Sequence, residues 1–396
     1  MQPNSNKITI GIVAGELSGD NLGAGLIRTL RQYYPQAEFI GIAGPKMMAE
    51  DCKTLGQMDV LSLMGVNDAI KRLPQILKIR SAVINTFKAN PPAFFIGIDA
   101  PDFNLGVEKK LKSFGIPVVH YVSPSIWAWR RWRIKKIQRS IDLLLTLFPF
   151  ESKFYQQHNV NVHFVGHPLA DQIPLENSAV LARKQLSLPT EEQYIALLPG
   201  SRSQEIKLLL PTFLQAALIC KQRLGKVQFI IPAANADRHQ QIMELLQEPQ
   251  FKKLPVHIVQ GQAQKVITAA NVVLATSGTV TLETLLINRP LVVAYKFAPL
   301  SWWIAKHLVK LPYFSLPNLL AGRQMVPEFV QHEVTPQNLA QALLDWVAQP
   351  QRAEKLTEEF ASIHQQLRRD ASEEAAKAIY ELMKSQRSPR HALALQ

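Results

Sequence analysis

Ile195-Ala-Leu-Leu-Pro-Gly200-Ser201-Arg202-Ser-Gln-Glu205-Ile206 runs from an apolar strand through a tight turn into the start of a helix. A second junction of the same build follows at Val272-Val-Leu-Ala-Thr-Ser277-Gly278-Thr279-Val-Thr-Leu-Glu283. A helix start presents backbone N–H groups without partners and a partial positive charge, so it suits phosphate. Arg202 adds a forked cation that can grip phosphate through two parallel hydrogen bonds. Glu283 falls about one turn into its helix, where a carboxylate can accept from two vicinal ribose hydroxyls. A cation for phosphate and an acid for ribose, on neighbouring junctions, point to a sugar nucleotide.

Apolar runs of the same kind recur on both sides. In the first half they begin at Ile8, Glu38, Ala93, Pro117 and Asp142, and helical spacing of Leu22, Leu26, Ile27 and Leu30 follows the first of them. In the second half they begin at Tyr194, Val227, Val256, Val272 and Leu291. Short continuous apolar runs separated by helices indicate parallel sheets covered on both faces. The alternation pauses between Ala170 and Glu192, where Pro174, Pro189 and several acids cluster, which is the expected domain boundary. The expectation is an α/β chain of two Rossmann-like, doubly wound parallel-sheet domains facing a cleft. Residues 1–185 form the first and 190–350 the second. A helical segment over 351–384 and a loose tail over 385–396 complete the chain. Ligands of such sheets sit beyond the carboxyl ends of the strands.

A chain of 396 residues is long enough for two domains, and 47% apolar with 19% charged residues describes a globular protein. Cys52 and Cys220 have no metal or disulfide spacing and fit a reducing cytosol. The first residues lead straight into a strand, so no secretion leader is expected. No stretch reaches the roughly 18–20 apolar residues that span a bilayer. The formal charge of +13 calls for anionic partners: nucleic acid, a membrane face or anionic substrates. One dense run is Arg130-Arg-Trp-Arg-Ile-Lys-Lys136 with Arg139 beyond it. It carries no RNA-module signature, so nucleic acid is not expected. Two further stretches, 61–80 and 302–316, mix large apolar residues with Lys71, Arg72, Lys78, Arg80, Lys306 and Lys310. Each reads singly as a core helix with solvated charges; together they favour contact with an anionic membrane surface.

The first loop, Ala14-Gly15-Glu16-Leu-Ser18-Gly19-Asp20, is not a dinucleotide fingerprint, and the second strand ends in Ala43-Gly44-Pro45 without the acid that would hold an adenosine ribose. Ser18 or Asp20 reads as a helix N-cap, or the loop forms one wall of the cleft. In Gly97-Ile-Asp99-Ala-Pro-Asp102-Phe-Asn104 the apolar run ends at Asp99, placing that acid at a strand's carboxyl end, where it can act as general base for an attacking hydroxyl or stabilise a turn. Asp102 is expected to cap the following helix. His120 and His167 are rival bases or hydrogen-bonded structural residues. No spacing forms a metal site.

Ala14–Asp20, Gly97–Asn104, His120-Tyr-Val-Ser-Pro-Ser-Ile-Trp-Ala-Trp-Arg130, Leu198–Arg202, Ser277-Gly-Thr279 and Leu316-Pro-Asn318-Leu-Leu-Ala-Gly322 together resemble the lipid-A-disaccharide synthases, from the first strand to about Gln341. The resemblance implies a GT-B glycosyltransferase that inverts the anomeric carbon. It would join UDP-2,3-diacylglucosamine to 2,3-diacylglucosamine 1-phosphate (lipid X), giving a β-1,6 disaccharide 1-phosphate and UDP in lipid A biosynthesis. It assigns Asp99 as base, and Gly200, Ser201, Arg202, Ser277, Gly278, Thr279, Glu283 and Asn318 to the nucleotide. Glu16, Ser18 and Gly19 fall on the active-site wall. It implies no cofactor and no metal, peripheral contact with the cytoplasmic face of the inner membrane, and leaves room for a homodimer. The alternatives are another UDP-sugar GT-B enzyme, an epimerase or a polyprenyl-linked sugar transferase, and a non-enzymatic binder suggested by charge alone.

Overall fold

The computed structural model describes residues 8–61, 66–297 and 312–387. It divides into two compact units, Met1–Asp171 with Leu367–Gln396, and Gln172–Gln366. In the first, strands β1 (Thr9–Ala14), β2 (Glu38–Ala43), β3 (Lys53–Gln57), β4 (Phe94–Ile98), β5 (Val118–Tyr121), β6 (Leu143–Thr146) and β7 (Val162–Phe164) form one sheet in the order β3-β2-β1-β4-β5-β6-β7. In the second, β8 (Tyr194–Leu198), β9 (Gln228–Ala233), β10 (Val256–Gln260), β11 (Val272–Thr276), β12 (Leu291–Tyr295) and β13 (Glu328–Val330) are ordered β10-β9-β8-β11-β12-β13. Every pairing is parallel.

The central strands are buried along their length because helices cover both faces: β4, β5, β8 and β11 have no exposed residue. That is why they read as unbroken apolar runs. The order in which strands are added reverses between β1 and β4 in one sheet and between β8 and β11 in the other. Loops leaving the two strands at such a point diverge to opposite faces and open a crevice at their carboxyl ends. All the expected site residues except Asn318 follow one of these four strands.

The C-terminal helices part company. Helix Pro350–Leu367 ends at the division between the units, and helix Ala371–Arg387 belongs to the first. Ala375, Ala376, Ile379 and Met383 form its buried stripe and join the first core. Asp171 holds its start, with Oδ1 accepting from the N–H groups of Arg369 and Asp370 (3.0 Å each) and Oδ2 from Ala371 (2.7 Å).

Two expected caps are corrected. Helix Leu17–Tyr33 begins after Glu16, not at Ser18 or Asp20. Asp20 is buried and turned to the loop after β2, accepting from Gly44 (3.0 Å), Lys46 (2.9 Å) and Met47 (3.0 Å). Asp102 lies inside the first turn of helix Pro101–Lys112, whose cap position is Ala100. Its carboxylate pairs with Arg133 at 2.7 Å. Of the two stretches read as lipid-facing, residues 62–65 and 298–311 lie outside the described residues, as do the side chains of 66–71.

Candidate active site

The β8 and β11 junctions emerge side by side, since β8 and β11 pair from Ile195↔Val272 to Leu198↔Ala275. The first turn bends at Gly200 with φ of +113°. A Cβ there would lie 2.2 Å from Glu205 Oε2, so glycine is needed for both its backbone angle and its room. Arg202 then opens helix Ser203–Leu224. Glu205 Oε2 accepts from the Arg202 N–H (3.3 Å) while Oε1 meets Nη1 (3.3 Å). The guanidinium stays 82% exposed, with most of its fork unused. At the second turn Gly278 takes φ +155° and ψ −163°, a region open essentially to glycine, and no side chain caps helix Thr279–Leu286. The first amides of a helix have no partner within it.

Between these turns lies a cavity of about 470 Å3, within the range of small-ligand pockets. Gly200, Ser201, Arg202 and Glu205 line it from one junction, and Ser277, Gly278, Thr279 and Glu283 from the other. Ala233 at the end of β9 with Ala234 beyond it, and Gly261 and Gln262 after β10, also line it. Seven of the eight residues expected to hold a nucleotide therefore line one cavity. Glu283 Oε1 accepts from Gln264 Nε2 at 3.0 Å, which orients its carboxylate.

Asn318 does not line it. Asn318 is fully buried, with Nδ2 donating to Val326 O (2.9 Å) and Glu328 Oε1 (2.8 Å) and Oδ1 accepting from Met325 (2.7 Å) and Val326 (2.9 Å). Its hydrogen-bonding capacity is spent inside its own loop. Glu328 also accepts from the N–H groups of Phe314 (2.9 Å) and Ser315 (2.8 Å), and Ser277 Oγ donates to Phe314 O (3.1 Å). Asn318 thus braces the segment that holds Ser277.

In the first unit, the loops after β1 and β4 touch. A Cβ on Gly15 would meet Ala100 Cβ at 2.5 Å. Glu16 and Ser18 are exposed on the β1 side and Gly19 is buried beneath them. On the β4 side Asp99 (φ +50°) and Ala100 (φ +43°) are consecutive left-handed residues, and Val122, after β5, has φ +77°. Each such residue costs on the order of 1–3 kcal/mol and persists only when its surroundings enforce it. At Asp99 the enforcer is Asn104, whose Nδ2 donates to the carbonyls of Asp99 (2.8 Å) and Ile98 (3.2 Å). Behind the turn, Glu108 Oε1 and His120 Nδ1 form a fully buried pair at 2.6 Å. Gly97 leaves the hollow that Glu108 fills. Burial pulls the His120 imidazolium down, but the Glu108 charge and hydrogen bond, with Asp99 adding, outweigh it and leave its pKa raised.

Of the rival bases, His120 is fully buried and His167 half-buried. His120 is sealed against Glu108. His167 is held at about 4 by burial, and its Nδ1 accepts from Leu169 N–H at 3.1 Å. Glu205, Gln262, Asn104 and Glu108 were missed from sequence. For Glu108 the available signal was its spacing four residues after Asn104 on one helix face, opposite a strand glycine.

The chain's relatives bear on this geometry. A family model described as Lipid-A-disaccharide synthetase matches residues 10–381. The lipid-A-disaccharide synthase of Saccharophagus degradans is 50% identical over 380 residues, covering 96% of this chain and 97% of that protein. That of Cellvibrio japonicus is 47% identical over 380 residues, covering 96% and 98%. Among solved structures, a glycosyltransferase from Rickettsia africae superposes with a TM-score of 0.61 at 10% identity, covering 96% of this chain and 99% of that one. A likeness at so low an identity speaks for the shared GT-B fold alone. The half-identical relatives, matched nearly end to end, add the chemistry, and the chain belongs to the lipid-A-disaccharide synthase family of glycosyltransferases.

Proposed function

We propose that the chain transfers 2,3-diacylglucosamine from UDP to the 6-hydroxyl of 2,3-diacylglucosamine 1-phosphate (lipid X). The products are UDP and a β-1,6-linked tetraacyl disaccharide 1-phosphate. The donor is α-linked, so one in-line displacement inverts the anomeric carbon: the acceptor oxygen bonds to C1 as the bond to the UDP oxygen breaks. Asp99 takes the hydroxyl proton. Arg202 and the two helix starts stabilise charge growing on the leaving diphosphate, so the scheme uses no metal. Glu283 holds the ribose, and Glu16, Ser18 and Gly19 wall the acceptor. The observation that carries this reading is the cavity at the β8–β11 reversal, lined by seven of the residues expected to hold a nucleotide.

Both substrates carry acyl chains, so the enzyme meets them at a lipid surface, placed by this reading at the cytoplasmic face of the inner membrane. Leu73 and Leu77 are exposed on helix Val66–Ala89 beside Lys78, and Trp132 is 68% exposed within the basic run, which supports peripheral contact. Among the described residues no helix is long and apolar enough to cross a membrane.

The test is incubation of purified protein with both acylated substrates in detergent. UDP and disaccharide should appear together; absence of disaccharide overturns the reading. Asp99→Ala should lower kcat by roughly 10²–10⁴ with UDP affinity little changed. Ordinary turnover in that variant removes Asp99 from the role.

A further inference from the structure

Four cationic side chains gather around Asp102, beside the Asp99 turn. Arg133 Nη1 lies 2.7 Å and Arg130 Nη1 4.0 Å from Asp102 Oδ1. Arg80 Nη2 donates to the Asp102 carbonyl at 2.9 Å. Lys136 feels Arg133, Arg80 and Lys109 as well as Asp102. Asp102 is the acid that acts on both Arg130 and Lys136.

A solvated basic face would let these long side chains splay apart. Here they are held. The Arg130 guanidinium stacks on Trp129, 3.7 Å from the ring centroid, and Arg80 lies over Phe103 at 5.4 Å. Arg80 Nε is buried with its N–H unused. Burial, and then the Arg133 charge, draw both the Arg130 guanidinium and the Lys136 ammonium below their usual values. Like charges held close are costly until an anion joins them, and forked guanidinium groups match phosphate oxygens. Asp102 is 74% exposed and offers one charge against four, so a dianion would displace it from Arg133.

The cluster stands close to Asp99. Asp102 is three residues further along, so their Cα atoms lie within roughly 11 Å. A ligand that places a hydroxyl at Asp99 and a phosphate among these cations is a small phosphorylated sugar. We propose that Arg80, Arg130, Arg133 and Lys136 form a phosphomonoester site for the anionic end of the acceptor. This rests on the transferase reading above, and it assigns the acceptor's phosphate a place which that reading leaves open. Lipid headgroups carry the same chemistry. The held side chains and the nearness of Asp99 favour the acceptor.

Binding without donor tests the site apart from turnover. Dissociation constants would be measured in detergent for 2,3-diacylglucosamine 1-phosphate and for the same lipid without its phosphate, on the full chain. Arg130→Gln and Arg133→Gln should each weaken the phosphorylated ligand by roughly 10- to 100-fold and leave the dephosphorylated one unchanged. Asp102→Asn should tighten the phosphorylated ligand, a direction that mere structural damage does not produce. Equal shifts for both ligands, or none, overturn the proposal. So does loss of binding to phosphatidylglycerol–phosphatidylethanolamine vesicles in the arginine variants with ligand affinity intact, which would assign the cations to headgroups. Selective phosphate binding without any disaccharide formation by the parent enzyme would instead undo the transferase reading and leave the site standing.

Discussion

Gly97→Ala tests whether the buried pair behind Asp99 is as constrained as it looks. Gly97 pairs with His120 in the β4–β5 ladder. A methyl on it would stand 2.1 Å from Glu108 Oε1 and 3.1 Å from Asn104 Cβ and Cγ. Ordinary contact begins near 3.4 Å, so the carboxylate must retreat by more than an ångström. An exposed carboxylate would swing away at little cost. Glu108 and His120 are both fully buried, and their 2.6 Å hydrogen bond is what the retreat gives up.

Leaving half of a buried pair uncompensated costs about 3–5 kcal/mol. Its lower end lowers the melting temperature by roughly 6–12 °C for a domain of 150–250 residues. Turnover should fall too, because the same methyl pushes on Asn104, which holds the carbonyls of Ile98 and Asp99. Thermal unfolding followed by circular dichroism reads the first effect and UDP release the second. A double-mutant cycle isolates the cause. In a Glu108→Ala background the clash partner is gone, so adding Gly97→Ala should cost less than about 1 kcal/mol. A single variant melting within about 2 °C of the parent, or strictly additive costs, would refute the reasoning.

Arg202→Ala should lower kcat/KM by roughly 10²–10³ without changing the melting temperature, since its fork is exposed; a melting shift with normal kinetics would make it a helix cap only. Asp20→Ala strips three backbone N–H groups of their acceptor and should cost at least about 3 kcal/mol in chemical denaturation; a loss below 1 kcal/mol would mean water replaces the carboxylate. Burial raises the Glu151 carboxyl to about 7 against the hydrogen bonds from Ser123, Phe148 N–H and Trp127. The folded state therefore keeps this proton between 4.5 and about 7 while the unfolded chain loses it, so stability falls as pH rises through that window, by about 3 kcal/mol in all. Comparing the pH dependence of unfolding in the parent and in Glu151→Gln checks this: the variant should lose that slope, and parallel curves would sink the assignment.

What could be read along the chain was whatever is local to it. β1, β4, β5, β8 and β11 announce themselves because both faces are buried, whereas β3, β7 and β13 sit at sheet edges with one neighbour each. β3 has three exposed residues of five, and β7 and β13 are three residues long, so no apolar run marks them. The position of Asp99 follows from an apolar run that ends in an acid. The left-handed backbone at Asp99 and Ala100 does not, because neither residue announces a positive φ as glycine would. Asp20 misled for the same reason: its nearest helix start lies beside it, while the amides it holds are 24 to 27 positions away.

Asn318 shows how a residue can govern a pocket it never touches. Its amide, with Glu328, fixes residues 314–318, and Phe314 in turn receives the Ser277 hydroxyl. Family patterns mark such a residue as readily as one that meets the ligand, because losing either spoils the same turn. The two kinds separate by what else is lost. A lining residue such as Arg202 carries little of the fold, while a fully buried, fully bonded amide leaves several polar groups stranded when it goes. The basic run from Arg130 to Lys136 makes the complementary point. Alone it reads as a solvated basic face suited to an anionic membrane surface. Arg80 and Asp102, brought to it from two other helices, turn an even spread of charge into a held cluster with a surplus, three residues from the turn that carries Asp99.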